Sequence, residues 1–112
     1  MSGNDFEELR VANETRHREW DPNSVITLEY RGNELAGETG EACNVIKKLV
    51  RERNGLRGTR VSKGDLADEL ADVLICVDLI AMTEGIDLRH ALVKKFNETS
   101  VKYGLRARLY LK

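Results

Sequence analysis

The chain is short of several things at once. Its 112 residues include one proline and two cysteines, and neither sign of charge is in excess: 18 Lys and Arg stand against 19 Asp and Glu, a formal net charge of −1. With 41% hydrophobic residues and so little proline, it lies outside the disordered class and is expected to fold. Its length suits one compact domain, able to bury roughly 65% of its unfolded surface, and residues 1–112 read as a single domain. The missing basic excess argues against stable nucleic-acid binding. No apolar run is long enough for a membrane: the stretch 71–82 holds 12 residues, two of them Asp72 and Asp78, against the ~20 that a span requires. Met1-Ser2-Gly3-Asn4-Asp5 has no apolar secretory core, which predicts a cytoplasmic protein. Cys43 and Cys76 sit in apolar helical patterns without CxxC spacing, and both are expected as buried free thiols. Neither GxxxxGK[ST] nor GxGxxG occurs, and His17 and His90 stand apart without HExxH or a serine triad.

What is present is helical periodicity, with no convincing strand-like alternation. A first helix is expected over Asp5 to Glu19, capped by Asn4 or Ser2, with Phe6, Leu9 and Ala12 or Asn13 on one face. Trp20 to Ser24 ends it. A second begins at Ile26 to Leu28 and runs to Arg53 on a stripe of Leu28, Leu35, Ala42, Val45 or Ile46, and Leu49. Residues 54–64 form a glycine-bearing basic linker, expected to be mobile. The third helix spans Asp65 to Glu84, and the fourth runs from near Asp87 to Tyr103-Gly104 with Leu88, Ala91, Leu92 and Phe96 inward. The fold class is therefore all-α, a four-helix bundle. The third helix is apolar almost all round from Ala71 to Met82, which suits either the centre of one bundle or a bundle completed by oligomerisation.

Chemistry is concentrated on two helical faces. Glu34, Glu38 and Glu41 recur at i, i+4, i+7, and so do Asp65, Glu69 and Asp72. A charged stripe is ordinarily a solvated face, but such faces pair acids with Lys or Arg one turn away. None of Glu38, Glu41, Glu69 and Asp72 has a basic residue at i±3 or i±4. Gly37 and Gly40, each costing about 1 kcal/mol inside a helix, are expected there for close approach. Carboxylate-only ligation selects a hard cation, Mg²⁺ or Mn²⁺. Around these faces lie basic segments, seven basic residues against Glu52 over 47–63 and six against Glu98 over 94–112. Metal-holding carboxylates beside Lys and Arg suit a polyphosphate. Trp20, at a helix end, is either a base-stacking platform or a rim residue.

The run Glu34-Leu-Ala-Gly-Glu38-Thr-Gly-Glu41-Ala, then Glu69-Leu-Ala-Asp72-Val-Leu, then Lys95-Phe-Asn97 through Tyr103-Gly resembles the MazG-like nucleotide pyrophosphohydrolases. These belong to the all-α NTP pyrophosphatase superfamily, with the dimeric dUTPases and dCTP pyrophosphatases. The resemblance covers about Trp20 to Tyr103 and implies a MazG-like bundle in which Glu38, Glu41, Glu69 and Asp72 ligate metal. It further implies Lys48, Lys95, Asn97 and Tyr103 near the substrate, Trp20 on the base, and Glu38 or Glu41 as the residue that holds the attacking water. The implied reaction converts a nucleoside triphosphate to the monophosphate and pyrophosphate. Deoxynucleotides, dGTP foremost, are the expected substrates, and a homodimer or homotetramer is the expected assembly. The competing expectation is a non-catalytic helical adaptor that binds metal or nucleotide.

Overall fold

The computed structural model describes residues 5–56 and 60–111. Among them are four helices and no strand: α1 Asp5–Trp20, α2 Leu28–Arg53, α3 Lys63–Thr83 and α4 Leu88–Lys102. The all-α, four-helix expectation holds. Ser2 and Asn4, expected to cap α1, lie outside the described residues, as do residues 57–59 of the linker expected to be mobile. α3 begins two residues before the predicted Asp65, because Ser62 caps it. The Ser62 hydroxyl accepts from the Asp65 backbone N–H at 3.1 Å, and the Ser62 N–H donates to Asp65 Oδ2 at 2.7 Å. Thr27 and Asp87 cap α2 and α4 through the N–H groups of Tyr30 and His90. Gly104, at a φ of +66°, turns the chain out of α4. The C-terminal segment then returns along that helix, where the Asn97 amide holds both backbone groups of Leu109 at 2.7 and 3.1 Å.

α2 and α3 fold back on one another, and α1 lies against α3. The buried apolar residues, Ala42, Leu49, Cys76, Leu79 and Ala81, all belong to the α2–α3 pair. α4 leans on α1, and no comparable packing joins it to α2. Several sequence expectations change in consequence. Leu92 and Phe96, expected to face inward, are 39% and 45% exposed, since α4 meets no helix on that side. Cys43 is exposed and only Cys76 is buried, because the contact line of α2 runs through Ala42 and Leu49, with Cys43 a third of a turn away. Of the open choices, Asn13 and Val45 turn towards the interior while Ala12 and Ile46 face out. The stretch of α3 from Cys76 to Ala81 is central, while Leu70 and Leu74 nearer its start are about half exposed.

The joint between α1 and α3 is polar. Asp78 has no exposed surface, and it accepts from Arg10 Nε at 3.1 and 3.3 Å and from Asn13 Nδ2 at 2.9 Å. Arg10 Nη2 also donates to the Ile86 carbonyl at 2.9 Å, tying the α3–α4 turn to the same pair. The turn between α1 and α2 is organised likewise by a buried carboxylate. Asp21 accepts from the Val25 and Ile26 N–H groups at 2.8 and 2.9 Å, and these two donors hold it below the usual carboxylate range. Asp78→Ala strands Arg10 and Asn13 and is expected to cost about 3–5 kcal/mol. Urea unfolding followed by circular dichroism measures this, and a loss under about 1 kcal/mol would show that α1 docks by other means.

Candidate metal and phosphate site

The α2–α3 seam brings together carboxylates that are 28 or more residues apart in sequence. One oxygen from each of Glu38, Glu41 and Glu69 lies within 4.8 Å of the others. Asp72, exposed and one turn along α3 from Glu69, stands outside that set, yet its charge is felt by both Glu38 and Glu69. Oε2 of Glu38 and Oε2 of Glu69 are buried and have no hydrogen-bond partner. Burial first, and then the Glu41 and Asp72 charges, raise the pKa values of both residues above the ordinary glutamate value. Among the described residues no Lys or Arg forms an ion pair with any of the four acids; the pairs formed are Arg10–Asp78, Arg31–Glu34 and Lys94–Glu98, with His17 4.0 Å from Asp21.

Of the three acids on each i, i+4, i+7 stripe, the first is otherwise engaged. Asp65 belongs to the capping box of α3, and Glu34 accepts from Arg31 Nη1 at 3.2 Å. What remains is an all-oxygen donor set with two orphaned buried oxygens, the environment a hard divalent cation relieves. The expected role of Gly37 and Gly40 is not found. A Cβ at either would meet nothing within 4 Å, so neither glycine admits a neighbouring helix of this chain.

The other predicted site residues are scattered. Lys48 is half-buried on α2, two turns and about 10 Å along the axis from Glu41 on the same face, within reach of a triphosphate. Lys95 is exposed on α4. The side-chain amide of Asn97 is engaged by Leu109, and Tyr103 is the C-cap of α4, 66% exposed with Lys102 Nζ 5.4 Å from its ring centroid. Trp20 is 72% exposed at the end of α1, with the Arg16 guanidinium 5.5 Å from its ring. Sequence reasoning overlooked Arg31, although its position three residues before Glu34 was a usable signal. It also overlooked Cys76 as a wall of the seam. Burial, followed by the Glu34 and Glu38 charges, pushes that thiol up to about 11. A concavity of about 460 Å³ lies elsewhere, between α1 and the α3–α4 turn, lined by Phe6, Arg10, Asp78 and Arg89 among others. Arg10 and Asp78 pair with one another there, while Arg89 Nε is buried without a hydrogen-bond partner, as Oε2 of Glu38 and of Glu69 are in the α2–α3 seam.

The sequence model of a protein family, described as the MazG nucleotide pyrophosphohydrolase domain, matches residues 27–103. That range runs from the cap of α2 to the cap of α4 and contains the whole carboxylate seam. A protein of Mycobacterium phage L5, the Gene 37 protein, is 38% identical over 61 residues, which are 54% of this chain and 53% of that one. The match thus spans about half the length of each. No solved structure matches the chain.

A carboxylic acid whose pKa is higher in the folded protein than in the unfolded chain favours folding while it is protonated. The contribution of Glu38 and Glu69 without bound cation is therefore full below the ordinary value near 4.5 and is lost as pH rises through their raised values. In chelator, Glu69→Gln is expected to melt at a higher temperature than the parent chain at about pH 7, the gap closing near pH 4. Scanning calorimetry at the two pH values checks this; coincident melting at neutral pH would mean that the seam holds no unrelieved repulsion.

Proposed function

Because the chain belongs to the MazG nucleotide pyrophosphohydrolase family, we propose that it is a metal-dependent nucleoside triphosphate pyrophosphohydrolase, cleaving the α–β phosphoanhydride to leave a monophosphate and pyrophosphate. The observation that carries this reading is the meeting of Glu38, Glu41 and Glu69 with two buried oxygens that nothing in the chain satisfies. Glu38, Glu41, Glu69 and Asp72 are the proposed ligands, and their oxygen chemistry favours Mg²⁺ or Mn²⁺. Bound there, such an ion supplies Lewis acidity towards the phosphate oxygens and acidifies a coordinated water. Glu38 or Glu41 takes the proton of the attacking water. Lys48 follows the phosphates along α2, and Lys95, Asn97, Tyr103 and Trp20 serve the outer phosphates and the base. Deoxynucleotides of a cytoplasmic pool, dGTP first among them, are the proposed substrates, handled by residues 1–112 as one domain.

We further read the working form as a homodimer or homotetramer. The chain's radius of gyration is 17.3 Å, against about 13 Å for a compact domain of this length. Its accessible surface is 8388 Å², against about 6,200 Å² for a folded monomer of its mass. Leu70, Leu74, Leu92 and Phe96 contribute to the excess, and a second copy is the economical cover for them. No described helix is long and apolar enough to cross a membrane.

Pyrophosphate release measured over the four dNTPs, the NTPs and guanosine tetraphosphate with Mg²⁺ or Mn²⁺ tests the activity. Glu41→Gln and Asp72→Asn are each expected to lower turnover by more than about 100-fold, beyond the effect of losing an outer-sphere partner, with helicity retained. Release at the parent rate from both variants would overturn the ligand assignment. No release from the parent chain with either ion would favour the non-catalytic module. Light scattering is expected to give a dimer or tetramer, and a monomer would refute the assembly.

A further inference from the structure

α2 carries three glutamates on one face, yet only Glu38 and Glu41 join Glu69 in the seam. Glu34, one turn before Glu38, is held by Arg31 at 3.2 Å. Arg31 is 3% exposed, and its other arm is fixed from a different helix, with Nη2 3.1 Å from His17 Nδ1 on α1. A guanidinium only donates, so Nδ1 is the acceptor and the imidazole proton sits on Nε2, which faces Asp21 Oδ2 at 4.0 Å. Arg31 is thus anchored through α1 and cannot follow Glu34 towards the seam. On the far side of Glu34 stands the buried Cys76, two turns after Glu69 on the same face of α3. Glu34 and Glu38 both act on its thiol, which remains a neutral S–H. Glu34 thus stands one helical turn, about 6 Å along the axis, from Glu38 on the same face, and one buried cation holds it.

We infer that Arg31 is a positioning residue of the metal site: anchored to α1 through His17, it withholds Glu34 from the carboxylate cluster and so sets the cluster's charge and its affinity for a divalent cation. This inference rests on the metal reading given above. Four carboxylates can balance two divalent ions, whereas a fifth would leave the seam net negative towards an incoming triphosphate while gripping the cation more tightly. On α3 the capping box withdraws Asp65 in the same sense, so each helix contributes a pair of acids.

Mn²⁺ titration calorimetry on the full chain tests this without reference to turnover. Arg31→Met, close in length but uncharged, is expected to bind Mn²⁺ at least about fivefold more tightly, since ligand charge count tunes affinity. Arg31→Lys is expected to stay near the parent value, and adding Glu34→Gln to Arg31→Met is expected to restore it. Damage to packing alone would weaken binding rather than tighten it. Should Arg31→Met fail to fold, Glu34→Gln in the parent chain decides: a change within about threefold supports the inference, and a loss as large as that of Glu38→Gln makes Glu34 a ligand and overturns it. A folded Arg31→Met with unchanged or weaker affinity overturns it as well and leaves the metal reading standing. Absence of Mn²⁺ binding by the parent chain would overturn both.

Discussion

Helix α3 carries carboxylates on two opposite faces, and the structure follows from how each face is neutralised. Asp78 lies nine residues, or about two and a half turns, beyond Glu69 and so points the other way. On its side, α1 supplies a guanidinium and an amide, and the carboxylate can be fully buried because its lone pairs are met. On the opposite side, α2 supplies two more carboxylates, and two buried oxygens are left unmet. One face of α3 is thereby a structural joint and the other the site proposed to take a cation.

The division extends to neighbouring acids. Glu34, Asp21 and Asp65 lie on the same helices or the turn joining them, but each has a local partner: Arg31, the Val25 and Ile26 N–H groups, and Ser62. On the two seam faces these pairings leave Glu38, Glu41, Glu69 and Asp72 as a remainder with no cationic partner among the described residues, as Asp68 beside Glu69 also is. Membership of a nucleotide pyrophosphohydrolase family gives the remainder a chemical use. Lys48, on the same face of α2 beyond the seam, is the residue proposed to follow the phosphates.

Much of this was legible in the sequence, for identifiable reasons. Helix limits followed from local signals, since Thr27, Asp87 and the glycines act within one turn. The carboxylate seam was legible because i, i+3 spacing sets a shared face and because a missing cation at i±3 or i±4 can be counted. Asn13 and Asp78 were not legible as partners, because 65 residues separate them and an Asp inside an apolar run looks like an interruption until its donors are seen. The glycines at 37 and 40 misled, since a helical glycine signals close approach only where a neighbour exists. Phe96 and Leu92 misled similarly: periodicity tells which residues share a face, not whether this chain covers that face.

The amino-acid sequence by itself determined the four helices, the pairing of acids on two of them and the family, because each depends on residues close together along the chain or on a motif read in order. Tertiary structure alone decided which acids meet across the helices. Arg31 is assigned to Glu34 by an anchor on another helix, Asp78 is neutralised from α1, and Asn97 holds the returning C-terminal segment. Such anchors depend on distances across helices, which the order of residues along the chain does not give.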